Sequence, residues 1–254
     1  MLLHVEFDGA GFHGWQLQND LRTVQGELET VLERITAAPV RAHASSRTDA
    51  GVHAMMLPVV FDTNHSIPLI GIVKGMNSNL PEDVAVLRAA EVVPDFDVRG
   101  TAKEKTYQYR IWNARTRSSH RRHDHWHVPT PLSLDRMQDA SSALIGEHDF
   151  SAFRTSQCQA KHAIRQITAI ELTKSSDASV QITIRGNAFL HNMVRIIAGT
   201  LVDIGRGHRD ISAAEQALNA RDRALAGPTA PAHGLTLVQV RYSPDPFTEA
   251  KCWP

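Results

Sequence analysis

The run Ser45-Ser46-Arg47-Thr48-Asp49-Ala50-Gly51-Val52-His53-Ala54 holds a guanidinium, a carboxylate and an imidazole close together. It falls between two stretches that read as strands. In an extended chain, side chains two apart project to the same side, so Arg47 and Asp49 can sit together. A neighbouring cation keeps a carboxylate ionised, which a nucleophile or base requires. Gly51 then allows a tight turn. The same residues also fit a turn aspartate in a surface ion pair, and spacing alone does not separate the two readings.

Two other segments invite chemistry. Gly9-Ala-Gly11-Phe-His-Gly14 matches GxGxxG after a strand, the pattern of a dinucleotide site. That site needs its third glycine in the opening turn of a helix. Here Trp15–Arg22 intervenes and strand pairs follow, so a nucleotide-dependent oxidoreductase is rejected and the segment is expected to be a turn-rich loop. In His120-Arg-Arg-His123-Asp-His125-Trp-His127, alternating histidines would suit a metal, but no second ligand cluster supports one. No metal site is expected there; the histidines are read as solvated or facing RNA. Cys158 and Cys252 form no CxxC pair, which excludes a disulfide framework and a cysteine zinc site. Free thiols, with no secretory leader and no bilayer-length apolar run, point to the cytoplasm.

The elements that must position these residues follow from periodicity. Leu2–Asp8 is expected as a strand. Val24, Leu28, Val31, Leu32 and Ile35 form one helix face, with Thr23 as N-cap. Val40–Ala44 and Val52–Phe61 are expected as strands, Pro58 marking an edge or bulge. A helix from Ser66-Ile-Pro68 through Asn79 and a strand over Val84–Val93 complete a β-α-β-β-α-β order. The second half repeats it with insertions: strands at Lys105–Trp112, Ile164–Thr173, Val180–Arg185 and Leu235–Tyr242, helices at Ser133–Ile145, Ala188–Ile204 and Ser212–Asn219. The expected fold is α+β: two related ferredoxin-like (βαββαβ) halves, residues 1–97 and 98–254. Their antiparallel sheets join into one extended platform with helices on one side.

Several segments together resemble the TruA family of tRNA pseudouridine synthases. Residues 46–54 resemble its G-R-T-D-A-G-V-H-A, and Asp8-Gly-Ala-Gly-Phe-His-Gly-Trp15-Gln-Leu-Gln18 is similar to its D-G-x-x-F-x-G-W-Q-x-Q. Thr23-Val-Gln25, Leu80-Pro-Glu-Asp83, Phe96-Asp-Val-Arg99 with Lys105-Thr-Tyr107-Gln-Tyr109, and Gly146-Glu-His-Asp-Phe150 follow in the family's order. So do Asn187-Ala-Phe189 through Arg195, and Ala230-Pro-Ala-His-Gly234-Leu-Thr-Leu237. Ser46 stands where the family often has Gly, and Val98 and Gly100 replace a commoner Ala and an aromatic around Arg99.

The resemblance implies an enzyme that isomerises uridine to pseudouridine at positions 38 to 40 of the tRNA anticodon stem-loop. It implies no cofactor, and a homodimer with one tRNA lying across both subunits. Asp49 becomes the essential carboxylate; attack on sugar or base, or removal of a sugar proton, all remain open. Arg47 holds Asp49 and fills the place of the flipped-out base. Tyr107 stacks on the uracil, although a core tyrosine on an alternating strand fits equally. Leu235 and Leu237 line the pocket or simply pack the strand. Arg195 binds phosphate, braces Asp49, or sits in a structural ion pair. A catalytically silent RNA-binding protein on the same scaffold is the alternative.

Charge agrees with a local polyanion site. The chain carries 27 Lys+Arg and 27 Asp+Glu, which excludes a uniformly basic nucleic-acid module and an acidic disordered chain. Yet residues 99–122 hold eight basic residues and one acid, while residues 1–36 hold six acids and two arginines. Arg99, Lys103, Arg117, Arg121 and Arg122 are therefore candidate phosphate contacts flanking Tyr107.

Overall fold

A computed structural model describes residues 1–249, 252 and 253, with side chains through Thr248. The fold is α+β. Two compact units comprise Met1–Glu104 with the chain from Leu237, and Lys105–Thr236.

The first unit begins with β1 (Leu2–Phe7), α1 (Val24–Thr36), β2 (His43–Ala44), β3 (His53–Val60), α2 (Leu69–Asn79) and β4 (Val84–Ala90). Thr23 caps α1 by accepting from the Gly26 N–H. The strands pair antiparallel in the order β4-β1-β3, with β2 on β3. This is the expected β-α-β-β-α-β order. Pro58 does not lie on an edge strand: it stands opposite His4 of β1, with β2 on the other side of β3. The β2 ladder ends at Ala44 opposite Val59, so on that flank Pro58 meets a loop. Its carbonyl accepts from the Ser45 N–H, so only the donor it lacks is missing from the strand. A register shift does occur nearby, between Val5 and Phe7 of β1.

The second unit carries β5 (Glu104–Trp112), β6 (Trp126–His127), α3 (Leu134–Ser142), β7 (Gly146–Asp149), β8 (Ile164–Lys174), β9 (Ser179–Gly186), α4 (Met193–Gly205) and α5 (Ala213–Ala220). Its strands run β5-β9-β8-β7, antiparallel, and β6 adds in parallel to β5. α4 is buried all round except at Arg195 and Asp203, as its apolar sequence requires. It starts at Met193, not Ala188, because Asn192 takes a left-handed φ of 62° and no helix continues through it.

The chain returns through β10 (Leu235–Arg241), α6 (Pro246–Glu249) and β11 (Cys252–Trp253). In the first unit β10 lies beside β3, and β11 pairs with β4. Grouping Leu237 onward with the first unit is something sequence order could not reveal. Cys158 is a partly exposed free thiol, and the expectation for the Cys252 side chain lies outside the described side chains. No helix among the described residues is long and apolar enough to cross a membrane.

The returning segment changes the surroundings of β1. Leu2, Leu3, His4 and Val5 are all buried, so both sheet faces are covered. Leu2 packs with Val98 and Phe247, and the His4 ring lies 3.8 Å from that of Phe247. Burial, with the Arg88 charge second and Asp245 opposing, pushes the His4 pKa down to about 4. The unfolded chain protonates His4 near pH 6.5, so the stability tied to neutral His4 is complete above that pH and is lost as pH falls toward 4. Urea unfolding should show this loss. His4→Leu should remove up to about 1.4 kcal/mol per pH unit of its slope in that window; an unchanged slope would exclude His4 as the group.

Candidate active site in the Asp49 loop

Between β2 and β3 the chain bends at Ser45 and Ser46 and runs without regular structure through Arg47–Asp49. Its alternation is the expected one: Ser46 and Thr48 are buried, Arg47 is exposed and Asp49 partly so. Neither neighbour of Arg47 finds a partner for its hydroxyl, since Ser46 Oγ and Thr48 Oγ1 are buried without hydrogen bonds. Such groups typically cost about 1–3 kcal/mol each, so other contacts must hold the loop in place.

The loop Gly9–Trp15 supplies those contacts. Trp15 N–H donates to the Thr48 carbonyl (3.1 Å) and Gly51 N–H donates to the Phe12 carbonyl (3.2 Å). Within the turn, Val52 N–H donates to the Asp49 carbonyl (3.1 Å), with Gly51 at φ +78°. The backbones approach so closely that side chains are excluded. A Cβ on Gly9 would lie 2.0 Å from the Val52 carbonyl oxygen, and one on Gly14, itself at φ +87°, 2.7 Å from that of Thr48. These two glycines serve loop-on-loop contact. Gly11 meets only the Arg22 and Asp83 side-chain ends, and α1 begins ten residues after Gly14, so the GxGxxG geometry of a dinucleotide site is absent.

Further residues brace the Gly9–Trp15 loop. Asp8 caps its first turn, accepting from Ala10 N–H (2.9 Å). His53 Nδ1 lies 3.1 Å from the Gly9 nitrogen and 3.0 Å from Asp8 Oδ1. Unprotonated, it accepts from Gly9; protonated, it donates to Asp8. Arg22 grips Asp83 with two nitrogens (2.7 and 2.8 Å) and lies over the Phe12 ring at 4.2 Å. The Asp83 hydrogen bond above all raises the Arg22 pKa. Buried Gln25 is fully bonded: its amide donates to Glu29 and the Ala42 carbonyl, and its oxygen accepts from Gln16 and Leu17. Glu29 in turn accepts from the Ala42 N–H, fixing the approach to β2. Asp8, Gln25, His53 and Asp83 carry no proposed role in the sequence reading beyond their place in motifs. Their signal was the motif itself, without a contact to explain it.

Arg99 is anchored where β2 leads into the loop. Arg99 Nη2 donates to the Ala44 carbonyl (3.3 Å), and its pKa is lowered first by shielding from solvent and then by the Arg47 charge. Leu237, also in this unit, is fully buried.

The second unit holds Tyr107, Arg195 and Leu235. Tyr107 is buried on β5, its ring edge-on to Phe189 at 5.1 Å. Arg195 Nε donates to the Ala230 carbonyl (2.8 Å) and Nη1 to Asn192 (2.6 Å), so it pins the 230 segment to α4. Tyr109 donates to the Pro231 carbonyl (2.7 Å), and burial raises its pKa. Leu235 is buried.

Of the candidate phosphate contacts, Lys103, Arg117 and Arg122 are exposed. Arg121 is ion-paired with Asp177 and lies over Trp112, so its charge is already matched. The histidine run is also structural in part, against the expectation of solvated rings. His125 is buried with Nδ1 2.8 Å from Asp124, and His127 Nε2 lies 2.8 Å from the Ala114 carbonyl. Among the described residues no three His, Cys, Asp or Glu converge as metal ligands would.

The family model described as tRNA pseudouridine synthase matches residues 3–99 and 140–243. The matched part includes Arg47, Asp49, Arg99, Arg195, Leu235 and Leu237 but not the stretch with Tyr107 and Arg117–Arg122. A protein named tRNA pseudouridine synthase A from Myxococcus xanthus is 45% identical over 244 residues, covering 96% of this chain and 92% of that protein. One of the same name from Pelobacter propionicus is 45% identical over 240 residues, covering 94% and 98%. A solved Cbf5-Nop10-Gar1 complex aligns with 93% of this chain and 57% of that chain at 11% identity and a TM-score of 0.38.

The glycine geometry yields a contrast. Gly14→Ala should destabilise the fold by about 1–3 kcal/mol through left-handed strain and a backbone clash. Gly11→Ala, which meets only movable side-chain ends, should stay within about 1 kcal/mol of wild type. Urea midpoints measure both, and equal losses would refute the assigned roles.

Proposed function

Because this chain belongs to the tRNA pseudouridine synthase family, we propose that it converts uridine to pseudouridine in tRNA, at positions 38 to 40 of the anticodon stem-loop. The observation that carries this reading is a partly exposed aspartate on an irregular loop whose backbone is bonded from both sides. A reaction needing one well-placed carboxylate calls for such a loop.

The chemistry balances without an outside reagent. The uracil N1–C1′ bond breaks and a C5–C1′ bond forms. C5 gives up a proton and N1 ends with one. No electrons are exchanged and the base is kept. Glycosidases that release their leaving group generally use two carboxylates, one protonating it. Here the motif offers a single carboxylate, which suits a base that is retained and rejoined.

Asp49 is proposed as the carboxylate acting on the target uridine. Flipping that nucleotide out of a stem costs about a few kcal/mol. Exposed Arg47 takes the vacated place. Tyr107 stacks on the uracil with Leu235 and Leu237 lining the pocket. Arg195 serves indirectly, by fixing the 230 segment that leads to those leucines. Lys103, Arg117 and Arg122 are proposed phosphate contacts, with Arg99 treated below. Family membership supports a homodimer working in the cytoplasm.

Pseudouridine mapping of tRNA incubated with the protein tests the proposal. Wild type should give product, and Asp49→Asn none while still binding tRNA. Equal product from both would remove Asp49 from the chemistry. Binding by wild type without product would establish the silent RNA-binding alternative.

A further inference from the structure

Arg47 and Arg99 form an arrangement that the reaction outlined above does not explain. The Arg99 guanidinium sits at the end of β2, where the chain enters the Asp49 loop, and there it feels the charge of Arg47. Arg99 is tethered across 55 residues by its bond to the Ala44 carbonyl, three residues before Arg47. The nearest acid on its own segment is engaged elsewhere. Asp97 Oδ1 accepts backbone N–H groups of Arg99 (3.0 Å) and Gly100 (2.9 Å), which hold its carboxyl below the usual range. A Cβ on Gly100 would lie 2.2 Å from Asp97 Oδ2, so this turn is built around the carboxylate. The pull of Asp97 on Arg99 ranks behind both shielding and Arg47. Arg47 itself has no hydrogen-bond or ion-pair partner among the described residues.

Like charges held together repel, and an anion placed between them turns that repulsion into two attractions. Guanidinium forks match the paired oxygens of a phosphate better than an ammonium does. We propose that Arg47 and Arg99 clamp one backbone phosphodiester of the RNA beside the nucleotide that Asp49 serves, an inference that rests on the RNA-modifying function proposed above. Arg47 then has a second partner as it enters the space left by the flipped base. Arg99, tethered to the end of β2, sets where that phosphate lies relative to Asp49.

The test uses anticodon stem-loop RNAs, each carrying one neutral methylphosphonate linkage, bound to the full chain and to Arg99→Gln. One linkage next to the target uridine should weaken wild-type binding about tenfold, the usual scale of a charge-assisted hydrogen bond, and weaken Arg99→Gln, which keeps only the Arg47 contact, clearly less. The variant should also show a shallower salt dependence, by about one phosphate's share. Arg99→Lys, which keeps the charge and loses the fork, should recover the salt slope but only part of the affinity. It also carries the test if Arg99→Gln folds poorly. Equal linkage penalties in wild type and Arg99→Gln would overturn the clamp. So would competition by inorganic phosphate beyond that of chloride at equal ionic strength with no linkage effect, which would assign the pair to free phosphate. Product formation on unmodified RNA is read in parallel, so absence of activity would count against the proposed reaction, separately from the clamp.

Discussion

Everything at the candidate site depends on two loop backbones meeting without side chains between them. Asp49 belongs to no helix or strand, so no ladder of regular hydrogen bonds fixes it. Its place is set where Gly9 and Gly14 lie against Val52 and Thr48, and where Trp15 and Gly51 donate across the gap. The rest of the first unit is arranged to keep that contact. Arg22 and Asp83 hold the outside of the Gly9–Trp15 loop, and Gln25 and Glu29 hold the approach to β2. The buried hydroxyls of Ser46 and Thr48 work against this order. Rigidity is thus imposed on the loop by its neighbours, as a site that must present one carboxylate reproducibly requires.

Local periodicity made much of the scaffold legible. The α1 face with its Thr23 cap, the apolar α4 and the burial alternation through Ser46–Asp49 are all properties of neighbouring residues. What stayed hidden depends on distant ones. Gly9 and Gly14 look like part of a nucleotide loop until Val52 and Thr48 are seen beside them. Pro58 suggested an edge because β2 is too short a strand to stand out in sequence. The start of α4 depends on the left-handed turn at Asn192, which apolar patterning does not report. The grouping of the chain after Leu237 with the first unit reverses sequence order.

Electrostatics followed the same division. Spacing set Arg47 and Asp49 on the less buried positions of the loop, and the burial alternation shows them there. Spacing could not reveal Arg99, whose sequence distance from Arg47 is closed by a tertiary hydrogen bond. Likewise the positive charges in residues 99–122 have partners that spacing does not report, because Asp177 pairs with Arg121 and Asp124 approaches Arg110. A balanced net charge conceals a few uncompensated cations, and position rather than number decides which of them can meet a phosphate.

The most direct test of the loop-on-loop constraint is amide hydrogen exchange at Trp15 and Gly51, the two donors that cross the contact. Both should be protected and exchange together in wild type. Gly9→Ala, which forces a methyl toward the Val52 carbonyl, should speed both by about tenfold or more while leaving α2 amides unchanged. Rapid exchange of the two amides in wild type, or exchange indifferent to Gly9→Ala, would contradict the account.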